Sequence, residues 1–289
     1  ELPGYLSMTL SYDVNTGKAA PYSALTIVST AAWGLGYFGM PHILLRFMAI
    51  EDEKKLKLSR RVATIWVVIS LFVAVFIGVI GYTMSKVGAL EMLTGSNSET
   101  IIVKISALLS QHGVIFALLA GVILAGILAS TMSTSDSQLL AASSAVSSDI
   151  LGAFRKDSSN KNGSMAAARI TLLVISVVAA FIARNPDSSV FAIVSFAWAG
   201  FGAAFGPVVL FSLFWKRTNK WGALAGMVCG GSMVFIWKYL IRPLGGIWNI
   251  YELLPAFLIA CAAIVIVSLL TPKPSKEIEE EFDRVAQMK

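Results

Sequence analysis

The sequence predicts an all-α, polytopic membrane protein in which some helices are interrupted at membrane depth. Three observations lead to this fold class. Hydrophobic residues make up 56% of the 289 residues and charged residues only 14%, against about 25% in soluble domains. Seven stretches are long and apolar enough to cross a hydrocarbon layer of about 30 Å as helices. The first and fifth stretches contain glycine clusters that end in a proline.

The predicted spans divide the chain into three parts. Residues 1–21 form a polar loop, residues 22–271 hold the seven spans, and residues 272–289 form an acidic tail. The polar loop begins as if inside a longer loop, which suggests that the chain is a piece of a larger protein. The spans cover residues 24–48, 63–84, 114–141, 166–183, 189–214, 221–241 and 254–271.

The distribution of Lys and Arg predicts the orientation. Of the 23 basic residues, 16 lie in connections on one side of this topology, six lie on the other side, and Arg46 lies inside the first span. Cytoplasmic loops carry the excess of positive charge, so residues 1–21 should be extracellular and the tail cytoplasmic. This bias accounts for the net charge of +6. We therefore predict membrane lipid, and no nucleic acid, as a partner.

The first span is predicted to be a broken helix. Residues 33–42 read WGLGYFGMPH; the glycines loosen the backbone, while Pro41 lacks a donor and crowds the carbonyl of Tyr37. A break at membrane depth is tolerated only where protein or a water-filled cavity covers it, and in transporters such breaks mark binding sites. A kinked packing helix is the alternative interpretation.

The fifth and sixth spans are also rich in glycine. Residues 196–207 read FAWAGFGAAFGP, which predicts a second break whose aromatic residues either form a gate or fill a core. The sixth span has Gly222, Gly226 and Gly230 at intervals of four. That spacing predicts a small-residue stripe for close packing of two helices.

The third span contains an unusual polar segment, STMSTSDSQ, at residues 130–138. On a helix, Ser130, Ser133, Thr134 and Ser137 fall on one face, and we call them the hydroxyl stripe. Asp136 lies at its edge and is the only one of 17 acidic residues deep within a span. An ionisable residue at that depth costs about 2.5 to 3.5 kcal/mol and indicates function by default.

Hydroxyl and backbone carbonyl oxygens are neutral ligands that suit a monovalent cation which must also be released. Divalent sites usually gather several carboxylates, and here there is one. The hydroxyl stripe therefore predicts a sodium site. The alternative is that these hydroxyls bond back to carbonyls one turn earlier and bind nothing.

The sequence does not predict an enzyme. His42 and His112 are the only histidines, and no hydrolase elbow, phosphate loop or HExxH motif is present. Cys229 and Cys261 lie in apolar spans, as small packing residues do. No organic cofactor is predicted.

Three segments resemble a known family: WGLGYFGMPHILLRFMAI, ILASTMSTSDSQLLAASSA and FAWAGFGAAFGPVVLFS. Together, in this order, they are similar to the sodium:solute symporter family, most closely to its bacterial sodium/proline branch. The resemblance implies a LeuT-like inverted-repeat bundle of about thirteen helices in the bacterial cytoplasmic membrane. This chain would supply the last seven, and the N-terminal half of the transporter would be missing.

The resemblance also implies which residues bind the coupling ion. The side chains of Ser133 and Thr134 and the backbone carbonyl of Ser130 would hold Na⁺. Some members of the family bind a further sodium at positions that correspond to Ser133, Asp136 and Ser137. The remaining carbonyl ligands would come from a helix that this chain does not contain.

For the substrate, the resemblance indicates Trp33, Tyr37 and Pro41 of the broken helix, with Trp198 and Phe201 as a gate or wall. The implied function is sodium-coupled symport of a small organic solute, first of all L-proline. Proline symporters commonly have Gln where this chain has Met40, so another amino acid, pantothenate or a sugar remain open.

Two further alternatives concern the chain as a whole. A transporter-like module can serve as a membrane sensor attached to a signalling domain. The chain alone is expected to be inactive, because half of the sodium ligands and one repeat would be absent.

Overall fold

The computed structural model describes residues 4–13, 16–150, 161–184 and 189–287, apart from the side chains of residues 53, 148 and 161–164. Contacts divide the chain into two compact units. The first unit comprises Glu1–Leu44 and Val194–Lys289, and the second unit comprises Leu45–Ile193. Each unit is described by itself.

The structure is almost entirely helical. Six helices in the described part of the chain are long and apolar enough to cross a membrane, so six of the seven predicted spans are confirmed as continuous helices; the protein is an all-α, multi-pass membrane protein. The helices are α1 (Ala24–Ala31), α2 (Trp33–Gly36), α3 (Pro41–Met48), α4 (Leu56–Lys86), α5 (Ile101–Ser110), α6 (Val114–Ser144), α7 (Lys161–Ile182), α8 (Val190–Phe214), α9 (Lys220–Ile236), α10 (Leu253–Leu270) and α11 (Lys276–Gln287).

The polar loop at the start contains a small sheet that the sequence did not predict. Strands β1 (Leu10–Asp13) and β2 (Lys18–Pro21) pair antiparallel, with Leu10 opposite Pro21 and Asp13 opposite Lys18. Leu10–Asp13 alternates apolar and polar residues, but Lys18–Pro21 does not, so the pattern did not predict a pair of strands.

The first span is broken as predicted. After α1 and α2 the chain forms a 3₁₀ turn at Tyr37–Gly39, passes through extended backbone at Met40, and starts again as α3 at Pro41. The helical region is sterically disfavoured for a residue before a proline, more so when that residue has a side chain as Met40 does, and the first position of a helix does not need the N–H that proline lacks. The Met40–Pro41 pair therefore places the break.

The second predicted break is wrong. Helix α8 runs without interruption from Val190 to Phe214 and contains Pro207. Its glycines allow close packing instead: a Cβ on Gly202 would lie 2.7 Å from the Cα of Gly36, and one on Gly206 would lie 2.9 Å from the ring of Phe257. Small residues that admit a neighbouring backbone look the same in sequence as residues that unwind a helix.

The glycine stripe of α9 packs as predicted. Side chains on Gly222 and Gly226 would collide with Ser268 and Ile264 of α10, and one on Gly230 would collide with the backbone of Ala203. These contacts bring α8, α9 and α10 together around the core of the first unit. The core residues include Ala199, Ala203, Val234, Leu253, Ala256 and Phe257.

The helices of the second unit have fewer buried positions. Gly81 of α4 packs against Ile101 of α5, and the Ser143 hydroxyl of α6 donates a 2.7 Å hydrogen bond to the carbonyl of Ala168 in α7. The apolar stretches of α4 and α7 contain no buried residue. This unit therefore offers most of its side chains to lipid or to further protein.

The acidic tail forms the short helix α11. The Nζ of Lys216, in the connection between α8 and α9, donates a 2.6 Å hydrogen bond to the carboxylate of Asp283. This bond raises the pKa of Lys216. The tail is thereby attached to the first unit near the end of α8.

Candidate ion and substrate sites

The hydroxyl stripe lies on one uninterrupted helix, α6. Ser130, Ser133 and Thr134 are exposed, and Ser137 is half-buried. Asp136 is exposed as well. The described residues of the second unit therefore leave the oxygens of this face accessible to an ion.

Part of the hydroxyl stripe bonds to its own helix. The Thr134 hydroxyl donates to the carbonyl of Ser130 at 3.3 Å, and the Ser137 hydroxyl donates to the carbonyl of Thr134 at 2.8 Å. The alternative of local bonding is thus realised at these two side chains. This local bonding does not exclude cation binding. A carbonyl oxygen has two lone pairs, and a hydroxyl oxygen that donates its proton still has lone pairs that can coordinate a cation.

Two side chains at this site are free for other ligands. Among the described residues, neither the Ser133 hydroxyl nor the Asp136 carboxylate has a hydrogen-bond partner. The described part of the chain also contains no group of three or more His, Cys, Asp or Glu residues that could hold a metal ion. The polar segment of α6 thus presents neutral oxygens and a single carboxylate.

The predicted substrate residues belong to the first unit, and three of them meet in an aromatic cluster. The ring centroids of Trp33 and Trp198 lie 6.1 Å apart in a stacked arrangement, and those of Tyr37 and Trp198 lie 4.8 Å apart edge to face. The indole Nε1 of Trp198 donates to the carbonyl of Trp33 at 3.0 Å. A side chain on Gly36 would collide with the indole of Trp198. The residues around the break in the first span thus pack directly against Trp198 of α8.

Tyr251 is a member of this cluster that sequence analysis missed. Its ring stacks on Trp33 with centroids 5.5 Å apart, and its hydroxyl donates to the carbonyl of Ser195 at 2.6 Å. Its backbone N–H donates to the hydroxyl of Ser29. Burial raises the pKa of the phenol, so it remains a hydrogen-bond donor. Nothing in the local pattern before α10 marked this tyrosine; only the packing does.

Tyr37 is the accessible part of the cluster. More than half of its surface is exposed at 56%, whereas Trp33 and Trp198 are half-buried. Pro41 follows the break and is half-buried at the start of α3.

Phe201 does not join the aromatic cluster. Its ring stacks instead on Phe205, with centroids 6.2 Å apart. Both rings line an apolar groove of about 260 Å³ between α8 and α9. The groove is lined by Phe196, Ala197, Gly200, Phe201, Phe205, Gly231, Val234 and Phe235.

The broken helix, the membrane-spanning helices and the oxygen-bearing face of α6 are features of a membrane transporter. Comparison with known proteins gives the family. The sequence profile of the sodium:solute symporter family matches residues 7–230, which is most of the chain. The chain therefore belongs to the sodium:solute symporter family.

Similar proteins include several named for proline transport. The chain is 41% identical over 262 residues to a sodium/proline symporter of Haemophilus influenzae, 39% over 254 residues to an osmoregulated proline transporter of Bacillus subtilis, and 39% over 259 residues to a sodium/proline symporter of Escherichia coli. These alignments cover 90%, 88% and 89% of the chain but 51%, 50% and 50% of the relatives. The chain thus spans about half the length of these relatives. No solved structure matches it.

Proposed function

We propose that this chain is part of a sodium-coupled symporter whose substrate is L-proline. The observation that carries the proposal is the hydroxyl stripe with Asp136 beside it on a membrane-spanning helix. A polar face of this kind is costly in lipid unless it serves an ion or a solute. The names of the relatives, which combine sodium with proline, support the same ion and the same substrate.

In this proposal Na⁺ binds on the exposed face of α6. The hydroxyls of Ser133 and Thr134 and the carbonyl of Ser130 are its ligands, and oxygens from outside the described chain complete the shell. Ser133, Asp136 and Ser137 are the candidates for a further sodium. Asp136 would add a full negative charge there, which strengthens cation binding in a low-dielectric environment.

The substrate binds beside the break in the first span. Proline has a small apolar ring and a charged backbone. The rings of Tyr37 and Trp198 suit the apolar part, with Trp33 behind them, while half-helix ends beside Pro41 provide backbone groups for the charged part. Phe201, which lines the groove between α8 and α9, is the candidate for a further wall.

Sodium binding stabilises the conformation that binds substrate, and both are released after the helices rearrange. A membrane potential of about 100 mV supplies about 2.3 kcal/mol for each charge that crosses. A tenfold sodium gradient adds about 1.4 kcal/mol. One sodium ion per proline would then sustain accumulation of about a few hundredfold.

We place the protein in the bacterial inner membrane with residues 1–21 outside and the tail in the cytoplasm. Contacts between connections support this arrangement. Glu99 and Ser189 belong to two connections that the charge distribution assigns to the outside, and they are hydrogen-bonded. Lys216 and Asp283 belong to two that it assigns to the inside, and they form an ion pair at 2.6 Å.

The test is uptake of labelled proline by the full-length protein in vesicles, with and without an inward sodium gradient. Ser133→Ala and Thr134→Ala should each raise the sodium concentration for half-maximal uptake by about tenfold, the effect of losing roughly 1.4 kcal/mol of ion binding. Ser135→Ala is the matched control, because Ser135 is an exposed serine of α6 on the opposite side from the hydroxyl stripe.

Unchanged sodium dependence in both variants would refute the ion site. Equal proline uptake with and without the sodium gradient would refute the coupling of proline transport to sodium. Stronger competition by pantothenate or a sugar than by unlabelled proline would replace the substrate but keep the symport.

A further inference from the structure

The first turn of α8 has an unusual set of hydrogen-bond acceptors. A helix leaves its first N–H groups without partners inside the helix. Here the N–H of Val190 donates to Oε2 of Glu99 at 3.0 Å, and the N–H of Phe191 donates to Oε1 of Glu99 at 3.3 Å. The N–H of Ala192 donates to the hydroxyl of Ser189 at 3.3 Å. Three N–H groups of the first turn therefore have acceptors.

Glu99 and Ser189 also bind each other. The Ser189 hydroxyl donates to Oε1 of Glu99 at 2.6 Å. This bond and the two backbone donors hold the pKa of Glu99 below its usual value, against a smaller effect of desolvation. The carboxylate thus stays charged at the positive end of the helix dipole, where a negative charge is stabilising.

The distance along the sequence sets this cap apart. Helix α1 is capped by Ser23 and α9 by Asn219, each directly before its own helix. Glu99 precedes Val190 by 91 residues. A local residue would suffice for capping alone, so a carboxylate from the connection between α4 and α5 also ties two distant segments together.

The segment that holds Glu99 is itself braced. Glu99 lies in a 3₁₀ turn, Gly95–Thr100, that leads directly into α5. Lys104 of α5 forms a 2.7 Å ion pair with Glu91. The hydroxyl of Ser85, at the end of α4, donates to the carbonyl of Glu91 at 3.0 Å. Glu99 thus projects from a segment that is attached to both α4 and α5.

We infer that Glu99 is a positioning residue for transport: it fixes the start of α8 to the connection between α4 and α5. The inference rests on the proposed function, because α8 also carries Trp198 of the candidate substrate site. Trp198 lies eight residues after Val190, about 12 Å along the helix. When Glu99 is lost, α8 is no longer held at its first turn, and the substrate is bound more weakly.

The experiment compares Glu99→Ala and Glu99→Gln in the full-length protein. Glu99→Ala removes both acceptors and, because α8 is then no longer held at its first turn, should raise the KM for proline by about tenfold, the effect of roughly 1.4 kcal/mol of lost binding. Glu99→Gln keeps one acceptor and should have a smaller effect. Glu51→Ala is the control, because it removes the same charge from an exposed pair with Lys55.

A second substitution separates positioning from capping. Ser189→Asp, combined with Glu99→Ala, replaces the local Ser189 cap of α8 with a stronger, charged one and leaves out the tie to the α4–α5 connection. The double variant should recover the unfolding temperature of the wild type but keep the raised KM. Full recovery of KM would overturn the inference, because capping alone would then explain the effect. An unchanged KM in Glu99→Ala would overturn it as well.

Hydrogen exchange tests the contact without any transport. Glu99→Ala should speed exchange of the amides of Val190 and Phe191, while Glu51→Ala should not; equal exchange in both would overturn the tie. If the wild type takes up no proline under a sodium gradient, the proposed function fails, and the exchange measurement still decides whether Glu99 holds α8.

Discussion

Different kinds of contact hold the helices together inside each of the two units. In the first unit, glycines bring α2, α8, α9 and α10 into backbone contact, and a third of the apolar stretch of α10 is buried. In the second unit, the apolar stretches of α4 and α7 have no buried residue, and several of the contacts are polar ones near helix ends. The first unit is a packed core and the second is an open set of helices.

This difference decides how the candidate residues of each unit are held within that unit. Lipid gives helices no hydrophobic reason to associate, so close packing through small residues must hold them. That packing fixes the aromatic cluster around Trp33 and Trp198. In the second unit the hydroxyl stripe of α6 is left accessible. The first unit therefore holds a packed aromatic cluster, and the second unit presents an exposed polar face.

The largest expected effect comes from breaking a buried ion pair in the first unit, and an exposed ion pair in the second unit serves as the comparison. In the first unit, Arg242 donates to Glu252 at 2.9 Å, and the Glu252 side chain is only 1% exposed. Arg242→Ala leaves that carboxylate buried and unpaired and should cost about 3 kcal/mol of unfolding free energy. Thermal unfolding of the full-length protein in detergent would measure the loss.

Lys55→Ala in the second unit is the comparison for this variant. It breaks the ion pair with Glu51, in which the Lys55 side chain is 56% exposed and the Glu51 side chain is 85% exposed. Exposed pairs contribute little, so the unfolding temperature should hardly change. Equal effects of Arg242→Ala and Lys55→Ala would show that burial does not distinguish the two units.

A smaller effect is expected where a glycine is replaced in the packed unit. A Cβ on Gly39 would meet the backbone of Phe201 and Gly202, which cannot move aside as a side chain can. Gly39→Ala should therefore cost about 1 to 3 kcal/mol. Unfolding of the solubilised protein, together with proline uptake, would measure the change.

Two glycines serve as controls. Gly34 in the first unit and Gly126 in α6 have no atom within 4 Å of an added Cβ. Alanine at either position should be neutral or slightly stabilising, since it lowers the entropy of the unfolded chain. If Gly126→Ala destabilised the protein as much as Gly39→Ala, close backbone packing would not be peculiar to the first unit.

The smallest effect is a pH dependence that arises in the second unit. Hydrogen bonds from Ser189, Val190 and Phe191 hold the pKa of Glu99 below the ordinary value of 4.5. A carboxyl group whose pKa is lower in the folded state stabilises the fold above its unfolded pKa, and this contribution is lost as the pH falls through the folded-state pKa. The unfolding temperature should therefore fall below about pH 4.5.

Glu99→Ala should reduce the fall in unfolding temperature below about pH 4.5. Above that pH, the difference in unfolding temperature between the variant and the wild type should not change with pH. Because Glu99 is exposed, the change is modest. An identical acid profile for the wild type and the variant would mean that the cap on α8 contributes nothing to stability.

Much of the fold could be predicted because hydrophobic length is a local property. Six spans are continuous helices, and the break in the first span follows from Pro41 and its restriction of Met40. The hydroxyl stripe could be predicted because a helix places every third and fourth residue on one face. The glycines of α8 misled the prediction, since flexibility and close packing require the same residue.

The residues that sequence analysis missed are those whose contacts are with residues far away in the sequence. Tyr251 reaches Trp33 and Ser195 across more than fifty positions of sequence, and Glu99 reaches Val190 across 91. Neither residue belongs to a motif. A tyrosine before a helix and a glutamate in a turn are common, and only their neighbours in space give them a role.

Sequence patterns alone were enough for the family, the membrane-spanning helices, the break at Met40 and Pro41, and the polar face of α6, because each pattern lies among residues that are close together in the chain. The tertiary structure decided which glycines admit a neighbouring backbone, that Phe201 faces the groove with Phe205 while Trp198 packs on Trp33, and which carboxylate caps α8. These outcomes depend on how helices approach one another, and the distance between two backbones is not encoded at any single position.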